Sequence, residues 1–271
     1  MHGAPGDVLK AAVLGSPVAH SLSPALHTAA FRALGLSEWS YAACDVGAEE
    51  LPRFVDRLDA DWRGLSLTMP LKEAALGVAT TVSGLAREAG AANTLVRRTD
   101  GGWAAENTDV DGIVEALRPG LPPSARHGVV LGSGATARSA ILALRRLDVT
   151  RTVVAARSPE RAAAALDRFA MSGVQVVPLP AWGTALADVV VSTLPPEAAG
   201  AALPGLAVTG GALLLDVVYD GWPTPLARAA HERGIRTVSG LDMLVHQAAR
   251  QFRLFTGHVA PLAAMFAAAR R

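Results

Sequence analysis

Seven short apolar runs alternate with alanine-rich stretches of helical length: Val8 to Gly15, Gly64 to Thr68, Val129 to Leu131, Thr152 to Ala155, Val174 to Val177, Asp188 to Ser192 and Leu213 to Val217. Runs of this kind, separated by helices, imply βαβ units and largely parallel sheets, so the expected class is α/β. With 271 residues the chain exceeds one minimal domain, and two modest domains are expected. The segment Arg118-Pro119-Gly120-Leu121-Pro122-Pro123-Ser124 concentrates breakers between a helical stretch ending near Leu117 and the strand at Val129, as a domain linker would. A boundary is expected near there. Leu241, Leu244, Val245, Ala248, Phe252 and Phe255 recur at helical spacing, which makes the last part of the chain a long amphipathic helix expected to return to the first domain. The predicted organisation is thus a first domain of residues 1–110, completed by 242–271, around a second of 111–241.

Composition narrows the partners. A chain with 51% hydrophobic and 18% charged residues and a net charge of +1 argues against disorder and against an extended nucleic-acid surface. Cys44 is the single cysteine, and Met1 to Lys10 lacks the apolar core of a secretory signal, which together suit a reducing cytoplasm. The most apolar stretch, Ala185 to Val218, is interrupted by Pro195, Pro196, Glu197 and Pro204, whereas a membrane span needs about 20 nearly unbroken apolar residues. It reads as buried strands and loops. His20, His27 and His246 lack convincing metal-ligand spacing. The expected partner is a small molecule, with no nucleic acid, membrane or metal, in a monomer or homodimer.

Val129-Val130-Leu131 runs into Gly132-Ser133-Gly134-Ala135-Thr136-Ala137 and then into the helical Arg138 to Leu147. A strand, a glycine turn and a helix start stand in the order a dinucleotide fingerprint needs. Gly132 permits the turn, Gly134 lets the backbone approach a pyrophosphate, and Ala137 allows close helix packing, while the helix start supplies N–H donors to the phosphates. The next strand reads Val153-Val154-Ala155-Ala156-Arg157-Ser158-Pro159-Glu160-Arg161. An NAD enzyme commonly carries an acidic residue there, whereas arginine suits a 2′-phosphate, which points to NADP(H). The competing reading makes Arg157 and Arg161 a solvated pair at a helix start.

Gly15-Ser16-Pro17-Val18-Ala19-His20-Ser21-Leu22-Ser23-Pro24-Ala25-Leu26-His27 closely resembles the opening motif of shikimate dehydrogenases. Thr68-Met69-Pro70-Leu71-Lys72, Ala92-Asn93-Thr94-Leu95, Asn107-Thr108-Asp109-Val110-Asp111-Gly112, Asp216-Val217-Val218-Tyr219, Pro223-Thr224-Pro225-Leu226 and Gly240-Leu241-Asp242-Met243-Leu244-Val245-His246-Gln247-Ala248 follow in family order. The resemblance implies a substrate domain and a Rossmann-type NADP domain, with reduction of 3-dehydroshikimate to shikimate in aromatic amino acid biosynthesis. It implies substrate contacts at Ser21, Ser23, Thr68, Lys72, Asn93, Asp109, Tyr219 and Gln247, with Lys72 and Asp109 the catalytic pair. Cofactor contacts are implied at Gly132 through Ala137, Arg157, Ser158, Arg161, Thr193, Val217, Gly240 and Met243. Serine, asparagine and glutamine suit a triol acid, since they pair with hydroxyls and a carboxylate without fixed charge.

Lys72 carries an argument of its own. Pro70 suits the first turn of a helix, where the dipole disfavours a cation, so a lysine kept there points to chemistry: donating a proton to a ketone oxygen and reclaiming it in reverse. Ordinary roles compete at other positions. Ser23 before Pro24 also suits a helix N-cap, Asp109 could cap the helix through Ile113 and Leu117, and Gln247 on a helix ordinarily faces solvent. His20 and His27 are read as packing or hydrogen-bonding groups. The chain departs from many relatives at Ser66, where asparagine is frequent, at Ala156-Arg157 in place of Asn-Arg, and at Ser192-Thr193-Leu194-Pro195. Three alternatives remain open at this point: an NAD-dependent quinate/shikimate dehydrogenase, an aminoshikimate dehydrogenase, and a non-catalytic dinucleotide-binding regulator. Retention of both Lys72 and Asp109 counts against the last.

Overall fold

The computed structural model describes residues 8–169, 171, 173–183, 187–206 and 211–270. The secretory-signal reading of Met1 to Lys10 falls mostly outside these residues, and the membrane reading of Ala185 to Val218 partly so. Among the described residues, no helix is long and apolar enough to cross a membrane.

Two compact units make up the chain, one of residues 1–108 with 245–271 and one of residues 109–244. The first begins with β1 (Leu9–Gly15), α1 (Ser23–Ala33), β2 (Trp39–Asp45), α2 (Leu51–Asp56) and β3 (Trp62–Leu67). It continues through α3 (Leu71–Val78), β4 (Thr81–Val82), α4 (Gly84–Ala89), β5 (Thr94–Arg97) and β6 (Trp103–Glu106). Its sheet has the order β2-β1-β3-β5-β6-β4. β1 lies parallel to β2 and β3, as the βαβ pattern predicts, but β5 runs antiparallel to β3 and β6. The β5–β6 link, residues 98–102, is too short for a crossover helix and closes as a turn in which Arg98 N–H donates to the Gly102 carbonyl at 2.9 Å. Leu14, Leu65, Leu67, Leu95 and Trp103 fill the core on this sheet.

The second unit contains α5 (Asp109–Leu117), β7 (His127–Leu131), α6 (Ala135–Arg146), β8 (Arg151–Ala156), α7 (Pro159–Arg168) and β9 (Val174–Pro178). Beyond these come β10 (Val189–Ser192), β11 (Leu213–Asp216), α8 (Pro225–Glu232) and β12 (Arg236–Ser239). The strands order as β12-β11-β10-β7-β8-β9, and every pair is parallel. The chain winds outward from β7 to β9, then restarts at β10 on the other side, which is the doubly wound Rossmann order. The proline-rich segment at 118–124 is no domain linker. α5 buries Val110, Ile113, Val114 and Leu117 and packs against α6, and the Gly120 carbonyl accepts from Arg236 at 2.7 Å, so the breakers turn the chain within this unit. The division falls before α5 instead.

α9 (Gly240–Thr256) crosses the second division, and from Val245 onward it belongs to the first unit, followed by α10 (Leu262–Ala269), which packs on α1. Val245, Ala248, Phe252 and Phe255 of the predicted apolar face are buried. Phe255 presses on β3 at Gly64, where an added Cβ would stand 2.0 Å from its ring.

Candidate functional site

In the first unit β1 and β3 end side by side. A Cβ on Gly15 would lie 2.3 Å from Thr68 Cγ2, so glycine lets the following loop come down on Thr68-Met69-Pro70, and Ser16 N–H donates to the Met69 carbonyl at 3.0 Å. Ser21 Oγ accepts from Ser23 N–H at 3.3 Å. Leu22 holds the cap position of α1 and Ser23 is its first residue, so the N-cap role that competed for Ser23 is not seen. Ser23 is buried, while Ser21 and Thr68 are half-buried. Lys72 is half-buried at the second position of α3, after the cap residue Pro70. Its carbonyl accepts from Ala92 N–H at 2.7 Å, which ties the first turn of α3 to the chain entering Asn93.

Asn93 is the hub of a buried polar cluster. Its Nδ2 donates to Thr108 Oγ1 at 2.9 Å and to Gln247 Oε1 at 3.2 Å, while its Oδ1 accepts from Thr108 N–H at 2.7 Å and from Thr94 Oγ1 at 2.9 Å. Gln251 Nε2 donates to the Asn93 carbonyl at 3.1 Å and to Thr94 Oγ1 at 3.0 Å. Asn93, Thr94, Thr108, Gln247 and Gln251 are all buried, where an unpaired polar group costs roughly 1–3 kcal/mol, so their mutual bonding holds the cluster in one arrangement. Gln247, expected to face solvent on general grounds, is buried because α9 carries it into this cluster. Asp109 follows Thr108 directly, buried, as the first residue of α5. The first unit therefore gathers Ser21, Ser23, Thr68, Lys72, Asn93 and Gln247, while Asp109 and Tyr219 stand in the second.

The second unit brings its predicted residues together through register. Leu131, Ser192, Asp216 and Ser239 are level at the carboxyl ends of β7, β10, β11 and β12, so Gly132, Thr193, Val217 and Gly240 follow at one edge of the sheet. Gly132 has φ +110°, a left-handed conformation that favours glycine, and a Cβ there would meet Thr193 Oγ1 at 2.4 Å. The Thr193 hydroxyl donates to the Leu131 carbonyl at 2.8 Å. Gly134 caps α6 with open space where a side chain would stand. Ser133, Ala135 and Thr136 are half-buried around it, and Ala137 is buried. A Cβ on Gly240 would lie 2.1 Å from the Val217 carbonyl oxygen. This cradle of close backbone at the start of α6 fits a pyrophosphate. Arg157 and Arg161 are exposed beyond β8, with Ser158 at the cap position of α7. Tyr219 is half-buried after β11, and Met243 is buried on α9. Asp216, its carboxyl pushed up by burial, accepts from Thr224 Oγ1 at 2.7 Å and so braces the loop that carries Tyr219.

Sequence reasoning missed Thr108 and Gln251 as members of the cluster, and Tyr41, which reaches it through Ser66. Gln251 had a usable signal: it stands four residues after Gln247, on the same face of one helix. Tyr41 had none, since its contact crosses from β2 to β3.

Residues 13–95 match the family model for the shikimate dehydrogenase substrate binding domain, and residues 240–270 that for the shikimate 5'-dehydrogenase C-terminal domain. Residues 128–219 match the model described as NADP oxidoreductase coenzyme F420-dependent. The shikimate dehydrogenase (NADP(+)) of Thermus thermophilus is 40% identical over 97% of this chain and 98% of its own. Among solved structures, Mycobacterium tuberculosis shikimate dehydrogenase superposes with a TM-score of 0.86 at 47% identity, covering 96% of this chain and 98% of that one. A shikimate 5-dehydrogenase from Thermus thermophilus, solved in complex with NADP(H) and shikimate, gives 0.84 at 37% identity, covering 97% and 99%. With likeness running through the polar cluster of one unit and the glycine cradle of the other, over nearly its full length, the chain belongs to the shikimate dehydrogenase family.

Proposed function

We propose that this chain catalyses the reversible, NADPH-dependent reduction of 3-dehydroshikimate to shikimate. The observation that carries the reading is the buried cluster around Asn93, which sets amides and hydroxyls beside the chain segments bearing Lys72 and Asp109. A site built from such groups recognises a polyhydroxylated acid and rejects analogues whose missing hydroxyls would leave it unpaired. Ser21, Ser23 and Thr68 supply hydroxyls for the carboxylate and ring oxygens, and Gln247, seated by Asn93, orients the ring. Lys72 donates a proton to the C3 oxygen during reduction and takes it back during oxidation, while Asp109 balances the charge of the ammonium group and accepts from the substrate hydroxyl. Gly132 through Ala137, Thr193, Val217, Gly240 and Met243 hold the dinucleotide, with Tyr219 at the substrate side. Arg157, with Ser158 and Arg161, takes the 2′-phosphate, which a guanidinium can grip with two parallel hydrogen bonds. When bound, NADPH supplies the hydride equivalent that the ketone carbon receives.

Shikimate oxidation followed at the nicotinamide absorbance, with NADP beside NAD and shikimate beside quinate, tests the reading. NADP with shikimate is expected to be the best pair, and NAD with quinate as the best pair overturns it. Lys72→Ala is expected to lower turnover about a hundredfold to ten-thousandfold while shikimate still binds, the range for losing an acid–base group. Turnover that survives this substitution removes Lys72 from the chemistry.

A further inference from the structure

The hydrogen bonds leading away from Asn93 end at a residue outside the motifs. Gln251, whose Nε2 holds the Asn93 carbonyl and Thr94, accepts at Oε1 from Ser66 Oγ at 2.8 Å. With its one proton committed to Gln251, the Ser66 hydroxyl can only accept from its other side, and it accepts from the Tyr41 phenol at 2.6 Å. The direction is set at both ends of this chain of groups: at the hub by the Asn93 carbonyl, which cannot donate, and at the head by the Tyr41 proton. Ser66, placed where many relatives carry asparagine, is thus engaged by Tyr41 and Gln251.

The same tyrosine is held to the other group of substrate residues. Its ring stacks on His27 with centroids 4.1 Å apart and planes 8° from parallel. His27 stands one turn beyond Ser23 on α1, and the Ser23 hydroxyl also approaches the phenol oxygen. Burial pushes the phenol above its ordinary range, so it stays a neutral donor throughout the working pH range. Phe252 and Phe255 of α9 close the other sides of His27, with centroids 6.2 and 5.8 Å away. One side chain on β2 therefore touches the helix that carries Ser23 through its ring and reaches the Asn93–Gln247 cluster through the bond from its hydroxyl to Ser66.

We propose that Tyr41 is a positioning residue that fixes the spacing between the Ser21/Ser23 loop and the Asn93/Gln247 cluster, and so sets how tightly the enzyme grips shikimate. The inference rests on the function proposed above. A site that must meet a carboxylate at one end of a ring and hydroxyls at the other binds well only if its two halves are held at one separation.

The test is steady-state kinetics on the full-length protein. Tyr41→Phe keeps the stack on His27 and removes the hydroxyl. It is expected to raise the KM for shikimate by about three- to tenfold, the effect of one neutral hydrogen bond, with kcat within about twofold of wild type. The KM for NADP should not move. Ser66→Ala should give the same split, Ser66→Thr should restore most of the affinity by restoring the hydroxyl, and Tyr41→Phe with Ser66→Ala together should cost no more than the worse single change. A Tyr41→Phe enzyme with an unchanged shikimate KM overturns the positioning role. So does one in which shikimate KM, NADP KM and kcat all shift together, or a double variant in which the losses simply add. A wild-type protein that does not oxidise shikimate overturns the functional reading itself, and this inference with it.

Discussion

His27 shows how far a side chain's neighbours outweigh its type. It is fully buried on α1, and among the described residues neither ring nitrogen has a hydrogen-bond partner. Gln251, the polar group that could favour the charged ring, is engaged by Ser66, Asn93 and Thr94. Burial therefore holds the imidazole neutral, with its pKa pushed down to about 3 from an ordinary 6.5. Because the unfolded chain takes up the proton at the higher pH, the stability owed to the neutral ring is intact above pH 6.5. It is lost as pH falls from there toward 3, at up to about 1.4 kcal/mol per pH unit. His27→Phe keeps a ring against Tyr41 and removes the titration. Urea unfolding from pH 7 to pH 4.5 should show a steeper loss for wild type than for this variant, and parallel curves would sink the argument. The sequence motifs made Ser21, Lys72, Asn93 and Gln247 legible because each is polar at a fixed offset in a recognisable segment. They could not show that His27 lacks partners, nor that Tyr41 reaches Ser66, because both facts depend on which strands and helices meet.

At the scale of elements, legibility followed apolar composition: even β9, a half-buried or exposed edge strand, is marked by the run Val174 to Val177. β1, β7, β10 and β11 are largely or wholly buried, and each carries a continuous apolar run, while β3, equally buried at its carboxyl end, sets Leu65 and Leu67 around Ser66. β2 and β12, at the sheet edges, are mostly half-buried or exposed and carry polar residues, so no such run marks them. β5 and β6 are short, and their antiparallel pairing depends on a tight link that a βαβ pattern does not anticipate. The prolines of segment 118–124 marked a real break in helix, but a break in helix is not a break between units. α9 was legible from its spacing, and its docking gives Gly64 a defined role. A Cβ on that strand would enter the body of the Phe255 ring, which cannot swing away while α9 remains seated. Gly64→Ala is expected to destabilise the protein by about 1–3 kcal/mol, as overpacking of a tight core does. Denaturant unfolding measures it, and combining it with Phe255→Ala should recover part of the loss. No recovery in the double variant would mean that the contact with Phe255 does not carry the effect.

The whole molecule is one continuous unit inserted in a discontinuous one. All six strands of the second sheet lie between residues 109 and 244, whereas the first unit needs residues 245–271 to finish its core. Those last residues bring Gln247 and Gln251 to the Asn93 cluster, and Phe252, Phe255 and Met265 to the core. Loss of one buried phenylalanine costs about 3–5 kcal/mol, against the 5–15 kcal/mol by which a domain is typically stable, so the first unit cannot survive the loss of this whole segment. The cradle of the second unit loses nothing comparable, since a chain ending at Leu244 still has Gly132, Thr193, Val217, Gly240 and Met243. Thermal unfolding of the full-length chain should move to higher temperature with NADP and separately with shikimate, because each ligand stabilises the form that binds it. The chain ending at Leu244 should keep the shift with NADP and lose the shift with shikimate. If shikimate still stabilised the shortened chain, the substrate site would have to be complete without α9, and the roles given to Gln247 and Gln251 would fall together.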